Sequence, residues 1–446
     1  MSHSSSSSEQ STLYQRPVEL LQQLVRFDTT NPPGNEAACI SYLGNLLREM
    51  GIESSIVARE PGRPNLIARL TGQGNAPPLL LQGHVDVVTT EKQHWQHPPF
   101  EGNIHDGYVW GRGTLDMKGG VAMMVAAFLH AKAEEASLPG DVLLTVLSDE
   151  EASGEYGAKY LVENHAELFK DVRYAIGEFG GFTMYVAGQR FYPIQVMEKK
   201  TCGLKVIMHG PGGHGALPMR GGTVARLGHL IQKMDEQRLP VHITSVTQHM
   251  IETLAAALSA SIGPILLQLL EPTQTNMVLD MLGQAGQTFD PLLHNTANIT
   301  IIRGGEKNNV IPSEFVVELD GRLLPGYGPE DMIAEMLQLV GDDIELEVTS
   351  YDPGPAEPEM GLFDTLAGIL KEADPHGTPL PMLLPAVTDG RFFSRLGIQT
   401  YGFLPMLLPE NFNFTQTIHA ADERIPIEAV EFGTRAIYEA LLRNKK

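Results

Sequence analysis

The stretch Leu79-Leu80-Leu81-Gln82-Gly83-His84-Val85-Asp86 runs from unbroken apolar residues straight into a histidine and an acid. A short apolar run bounded by turn residues reads as a buried strand. Residues two apart in an extended chain share a face, so His84 and Asp86 are expected to point the same way from the strand's end. One could then bind a cation while the other supports it. A lone His-x-Asp triplet has an ordinary structural reading as well, and the rest of the chain decides between them.

Working outward, helical spacing appears at 17–27 and stops near Asn31-Pro32-Pro33-Gly34, and a second helix is expected over 37–50. Strand-like runs lie at 56–57, 66–68 and 142–147, with a helix over 119–133 between the last two. Strands alternating with helices predict an α/β layer structure, whose chemistry gathers at strand ends. The texture changes between 201 and 351, where a strand-like run at 204–208, a Gly-rich loop, a helix near 223–234 and strands at 298–302 and 315–319 predict an inserted α+β domain. Within it, 246–282 is rich in Leu, Ala and Met, read as core or dimer contact in preference to a cover over substrate. The α/β character returns after Pro353, with helices expected over 362–373 and 426–442. The expected organisation is therefore a tail at 1–12, a discontinuous catalytic domain of 13–200 and 352–446, and a lid or dimerisation domain of 201–351.

The chain has 446 residues, 42% of them hydrophobic, which is ample for more than one core. With 32 basic against 54 acidic residues its formal charge is −22, so nothing electrostatic favours nucleic acid or an anionic membrane as partner. The two cysteines, Cys39 and Cys202, form no disulfide framework and lack zinc-site spacing, so any metal must rely on His and carboxylates. The start, Met1-Ser2-His3 followed by a serine run, lacks the basic and apolar regions of a signal peptide. No run approaches the roughly 20 apolar residues of a membrane span. A cytoplasmic protein is expected.

Four further segments carry acids or histidine at strand ends and turns. Gly111-Arg112-Gly113-Thr114-Leu115-Asp116 ends just before a helix, where Asp116 could cap that helix or hold cations. Ser148-Asp149-Glu150-Glu151 closes the strand at 142–147; three consecutive acids suit a solvated loop, but at a buried strand end their repulsion is better offset by metal. Glu178 closes the run Tyr174-Ala175-Ile176, and His419 lies in a long irregular stretch. His94, His97 and His105 read as surface or loop residues.

Together, His84-Val85-Asp86, the run from Trp95 to Phe100 leading to Gly111-Arg112-Gly113, Asp116-Met117-Lys118-Gly119-Gly120, Asp149-Glu150-Glu151, and His419 with Asp422-Glu423-Arg424 resemble the zinc metallopeptidase and amidohydrolase family of aminoacylase, glutamate carboxypeptidase, succinyl-diaminopimelate desuccinylase and the dipeptidases. The match spans nearly the whole chain. Glu178-Phe179-Gly180-Gly181, Glu198-Lys199-Lys200 and Arg322-Leu323-Leu324-Pro325-Gly326 look most like the branch of yeast carboxypeptidase S and the animal N-fatty-acyl-amino-acid hydrolase. Ala420-Ala421 departs from the family, where Gly more often follows the last histidine.

The resemblance implies two Zn²⁺ ions, with Co²⁺ or Mn²⁺ admitted by the same ligand types. One ion would be held by His84 and Glu178, the other by Glu151 and His419, with Asp116 bridging and its peptide bond to Met117 cis. Asp86 would orient His84. Hydroxide held between the ions would attack an amide, with Glu150 as general base and acid. In the loop His209-Gly210-Pro211-Gly212-Gly213-His214, the family implies that His214 reaches the partner subunit's site and stabilises an oxyanion, which makes a homodimer the expected assembly. Arg322 would grip a substrate carboxylate, with Asn309 and the backbone near Gly390 in Thr388-Asp389-Gly390-Arg391 as further contacts. The implied activity is amide hydrolysis of N-acyl amino acids or small peptides with a free carboxylate. An aminopeptidase or dipeptidase acting on free amines, and an inactive binding protein on the same scaffold, are the alternatives.

Overall fold

The computed structural model describes residues 12–444, so the tail expected at 1–12 lies outside the described residues except for Thr12. The chain divides into two compact units. One takes the chain up to Val196, with Glu359–Met382 and the chain from Thr388 on; the other comprises Met197–Pro358 and Leu383–Val387.

The first unit is built on a nine-stranded mixed sheet, ordered Ser54–Ala58, Pro64–Leu70, Val142–Leu147, Leu79–His84, Tyr174–Gly177, Gln399–Gly402, Gln189–Glu198, Thr378–Leu384, with Met184–Val186 beside Gln189–Glu198. Its middle is parallel: Leu79–His84 runs alongside Val142–Leu147 and Tyr174–Gly177, and Gln399–Gly402 alongside Tyr174–Gly177. Parallel strands buried on both faces read as continuous apolar runs, which is why this part was visible in the sequence. The outer strand Ser54–Ala58 has mixed burial and pairs antiparallel.

Alternation along Leu79–His84 sorts the two faces. Leu80 joins Leu143, Leu147, Ala175, Leu161, Phe392 and Phe393 in one core. On the other face, a Cβ added to Gly83 would meet Met117 at 2.5 Å and Val121 at 3.2 Å, so the helix Lys118–Ala133 lies close against the strand. That helix packs between the sheet and two outer helices, Pro17–Val25 and Ile427–Arg443. Buried around nearly its full circumference, it is apolar all round, as such a position requires. A small sheet of Ile104–His105, Tyr108–Trp110 and Arg424–Pro426 completes the unit. It pairs Arg424 with Trp110. Strands of two or three residues carry too little periodicity to be read from sequence.

The second unit has a four-stranded antiparallel sheet, ordered Thr296–Gly304, Glu314–Leu323, Lys200–His209, Glu345–Tyr351. Cys202, Leu204, Val206 and Met208 alternate onto one face and meet Val317, Leu319, Leu230 of the helix Thr223–Glu236, and Met332 and Met336 of the helix Pro329–Val340. The Leu-, Ala- and Met-rich stretch 246–282 forms the helices Ser245–Ala257, Gly263–Leu267 and Thr275–Leu282, followed by Gln284–Leu293. Val246, Met250, Ile251, Leu254, Leu266, Leu269, Val278 and Leu279 are buried, while Met277 and Met281 are exposed. Among the described residues, no helix is long and apolar enough to cross a membrane.

Candidate metal centre

Parallel pairing places the chemistry. His84 is the last residue of its strand and sits level with Leu147, so Ser148 to Glu151 continue just beyond it. Leu81 is level with Ile176, which brings Glu178 beside His84. Asp116 arrives from the turn before Lys118–Ala133, and His419 follows the short helix Phe414–Thr417 with φ of 60°, a left-handed conformation uncommon for a side-chain-bearing residue.

The result is two groups of possible metal ligands that share one carboxylate: His84, Asp116 and Glu178, and Asp116, Glu151 and His419. His84 Nε2 lies 3.2 Å from Asp116 Oδ1 and 3.5 Å from Glu178 Oε2. His419 Nε2 lies 3.2 Å from Asp116 Oδ2 and 3.2 Å from Glu151 Oε2. Ligands held about 2.0–2.2 Å from a tetrahedral ion stand roughly 3.3–3.6 Å apart, so these spacings suit a shared cation on each side of Asp116. Asp116 does not cap the helix, and the Asp116–Met117 peptide is cis.

Hydrogen bonding reinforces the fit. His84 Nδ1 donates to the main-chain carbonyl of Asp86 at 3.0 Å, closer than the Asp86 carboxylate at 3.4 Å. In the neutral ring this leaves the Nε2 lone pair facing two carboxylates, an arrangement that calls for positive charge between them. Glu151 Oε1 is buried without a hydrogen-bond partner. The orienting role expected of the Asp86 carboxylate is thus shared with its backbone, and the carboxylate accepts instead from the N–H groups of Glu150 and Glu151, each at 3.1 Å.

The electrostatics say the same. Burial pushes Glu150 well above the ordinary carboxylate range, with the nearby Glu178 adding to the push. Burial raises Glu178 to about 7 and also raises Glu151. Burial opposes ionisation of Asp116 too, but bonds from His419 and His84 outweigh it and hold this group below its usual value. Bonds to Asp116 and Glu151 push His419 up to about 10. For His84 burial acts downward, yet Asp116, Asp86 and Glu178 together raise it well above normal. Such a set of two histidines and crowded carboxylates is a donor set for hard or borderline divalent cations.

The other residues singled out by sequence belong to neither ligand group. His214 and Asn309 come together in the second unit, where Gly213–His214 pairs with Val310–Ile311 and Gly215 N–H donates to the Asn309 carbonyl at 2.8 Å. His214 Nδ1 accepts from Ala216 N–H at 3.1 Å, which in the neutral ring leaves Nε2 as the donor. Arg322 stands at the opposite end of the strand Glu314–Leu323 from that loop. Its Nε and Nη2 donate to Asp320 at 2.7 and 3.0 Å, while Nη1 is buried without a partner. Gly390, in the first unit, opens the short helix Gly390–Ser394, and its N–H is donated to Thr388 Oγ1 at 3.0 Å. His97 and His105 stack on each other with ring centroids 3.7 Å apart, outside both ligand groups.

Two acids escaped the sequence reading. Glu423 is fully buried and accepts from the N–H of Gly113, Leu115 and Asp116 at 3.1, 2.8 and 3.2 Å and from Arg112 Nη1 at 2.5 Å, so it shapes the turn that presents Asp116. Its place in Asp422-Glu423-Arg424 was the available signal. Asp389, beside Gly390, is buried with both carboxylate oxygens unpartnered and is raised by burial to about 7.

A family model described as peptidase family M20/M25/M40 matches residues 80–443. The probable carboxypeptidase S-like 2 of Dictyostelium discoideum is 28% identical over 371 residues, covering 79% of this chain and 68% of that protein. The N-fatty-acyl-amino acid synthase/hydrolase PM20D1 of Homo sapiens is 26% identical over 392 residues, covering 83% and 75%. Both fall in the branch that the sequence runs resemble. The solved M20 family metallo-carboxypeptidase Sso-CP2 from Sulfolobus solfataricus aligns with a TM-score of 0.67 at 17% identity, over 95% of this chain and 98% of that one, a likeness of fold.

Proposed function

Since this chain belongs to peptidase family M20/M25/M40, we propose that it is a two-zinc hydrolase that cleaves the amide bond of N-acyl amino acids or small peptides bearing a free carboxylate. The observation that carries this reading is the division of Asp116, one oxygen toward His84 and Glu178 and the other toward His419 and Glu151. His84 and Glu178 would hold one ion, Glu151 and His419 the second, and Asp116 both. When bound, paired cations supply Lewis acidity to the scissile carbonyl and lower the pKa of attacking water.

The chain's own groups do the rest. Glu150 stands at the edge of the site, 3.9 Å from His84 Nε2, and its raised pKa suits a group that takes a proton from water and returns it to the leaving nitrogen. Arg322 Nη1, buried without a partner, is the donor left for a substrate carboxylate. The Nε2–H of His214 suits an oxyanion, contributed by a second copy in a homodimer. Asn309 and Gly390 would line the substrate.

Names among the relatives support the substrate class: one is a carboxypeptidase-like protein and the other a hydrolase of N-fatty-acyl amino acids. The test is a panel of N-acyl amino acids, the same compounds with the carboxylate amidated, and free-amine dipeptide amides. Turnover of the first set and loss with the amidated set is expected; preference for free-amine amides would overturn the reading. For the dimer, His214→Ala and Glu150→Gln proteins, each impaired alone, should recover turnover when mixed. No recovery would contradict the shared site.

A further inference from the structure

Behind the candidate metal centre lies a buried chain of polar groups that, apart from Asp86 beside His84, the proposed mechanism leaves without a role. Glu36 is fully buried and receives a bidentate pair of bonds from Arg63, Nε to Oε2 at 2.7 Å and Nη2 to Oε1 at 2.8 Å. Arg63 Nη2 also donates to Asp149 Oδ1 at 3.0 Å. The same Asp149 oxygen accepts from Asn31 Nδ2 at 3.0 Å, and that amide nitrogen donates to Asp86 Oδ2 at 2.8 Å. Asp86 in turn accepts the N–H groups of Glu150 and Glu151. One continuous path therefore runs from Glu36 to the two acids that face the centre.

We propose that Arg63 and Asn31 are positioning residues: by fixing Asp149 and Asp86 they set the loop that presents Glu150 and Glu151. It rests on reading the site as a metal centre. Asp149 has φ of 71°, a left-handed backbone uncommon outside glycine, asparagine and aspartate. Arg63 and Asn31 both hold its Oδ1, while Oδ2 accepts from Ser153 Oγ at 3.3 Å and Tyr156 N–H at 3.2 Å. Asp149 immediately precedes Glu150 and Glu151, whose main-chain N–H groups are pinned by Asp86.

The arrangement leaves little room to relax. Asn31 is itself anchored by its N–H to the Val87 carbonyl at 2.9 Å, one residue beyond Asp86. A Cβ on Gly34 would stand 2.2 Å from the Arg63 guanidinium, so the Pro33–Gly34 turn closes directly over it. Arg63, Asn31, Asp149 and Asp86 are all buried, where a lost donor leaves an unpaired carboxylate that must be protonated or move. Either response shifts the loop by way of Asp86.

The test uses the full chain with Arg63→Lys, Arg63→Met and Asn31→Ser. Each variant is stripped of metal, titrated with Zn²⁺, and reloaded with Co²⁺ for its visible absorption spectrum. Values of kcat and KM are read on the substrate that the parent turns over best. Expected are a roughly 10–100-fold fall in zinc affinity or kcat, KM within about twofold, an altered cobalt spectrum, and partial rescue by Arg63→Lys relative to Arg63→Met. Variants that only lower the melting temperature, with parent-like cobalt spectrum, zinc affinity and kcat, would overturn the proposal. Should Arg63→Met fail to fold, Asn31→Ser removes a single amide and decides alone. If the parent hydrolyses nothing in the panel, the substrate reading fails, yet zinc affinity and the cobalt spectrum still decide this one.

Discussion

His419 Nε2 lies 3.2 Å from Asp116 Oδ2, the carboxylate oxygen that His84 does not approach. Asparagine at position 116 would offer one acceptor and one donor, and could serve only one of the two histidines' sides. Asp116→Asn is therefore expected to bind fewer than two zinc ions per chain. Elemental analysis after gel filtration measures it; two retained ions would show that Asp116 does not bridge.

Glu150→Gln keeps the shape of the site and removes a titrating group. Zinc content should stay at the parent level while kcat falls roughly 10²–10⁴-fold. Retained turnover would assign proton transfer to another group.

The metal-free protein should lose stability as pH rises through the neutral range. Glu178 and Asp389 each have folded values raised to about 7, against unfolded values of about 4. The unfolded chain releases these protons first, so the stabilisation is complete below about pH 4 and is lost as pH climbs through 7. Above that, His419 continues the loss toward its value of about 10, while Lys199, depressed by burial to about 7, acts in the opposite sense. Melting temperature in chelator should fall between about pH 5 and 7, and zinc should restore it, because cations favour the ionised ligands. A flat profile in chelator would contradict the crowding of these acids.

Much of this centre could be read in advance because its ligands follow buried strands. Leu79-Leu80-Leu81 and Val142–Leu147 are apolar on both faces, and parallel pairing makes the residues after them converge. Glu178 rested only on its spacing after Tyr174-Ala175-Ile176 and its glycine neighbours, and the register with Leu81 brings it beside His84. The fate of Asp149 was not legible. Its charge meets Arg63, 86 residues away in sequence, and no local pattern announces such a pairing. Glu423 was hidden for a similar reason: its partners lie in the Gly113 to Asp116 turn, brought to it by a three-residue strand.

Glu423→Ala should leave Arg112, itself buried, without its carboxylate, and three backbone N–H groups without an acceptor. Breaking a buried pair of this kind costs about 3–5 kcal/mol. Chemical denaturation should register that loss, together with weaker zinc binding through the displaced Asp116 turn. An unchanged midpoint would mean that the turn is held by other contacts.

The most direct test of the two-cation centre is calorimetric titration of the metal-free protein with Zn²⁺. Two ions per chain with release of protons is the predicted result, since Glu178 and His419 are raised in pKa when no cation is bound. Saturation at a single ion per chain, or no binding at all, would contradict it.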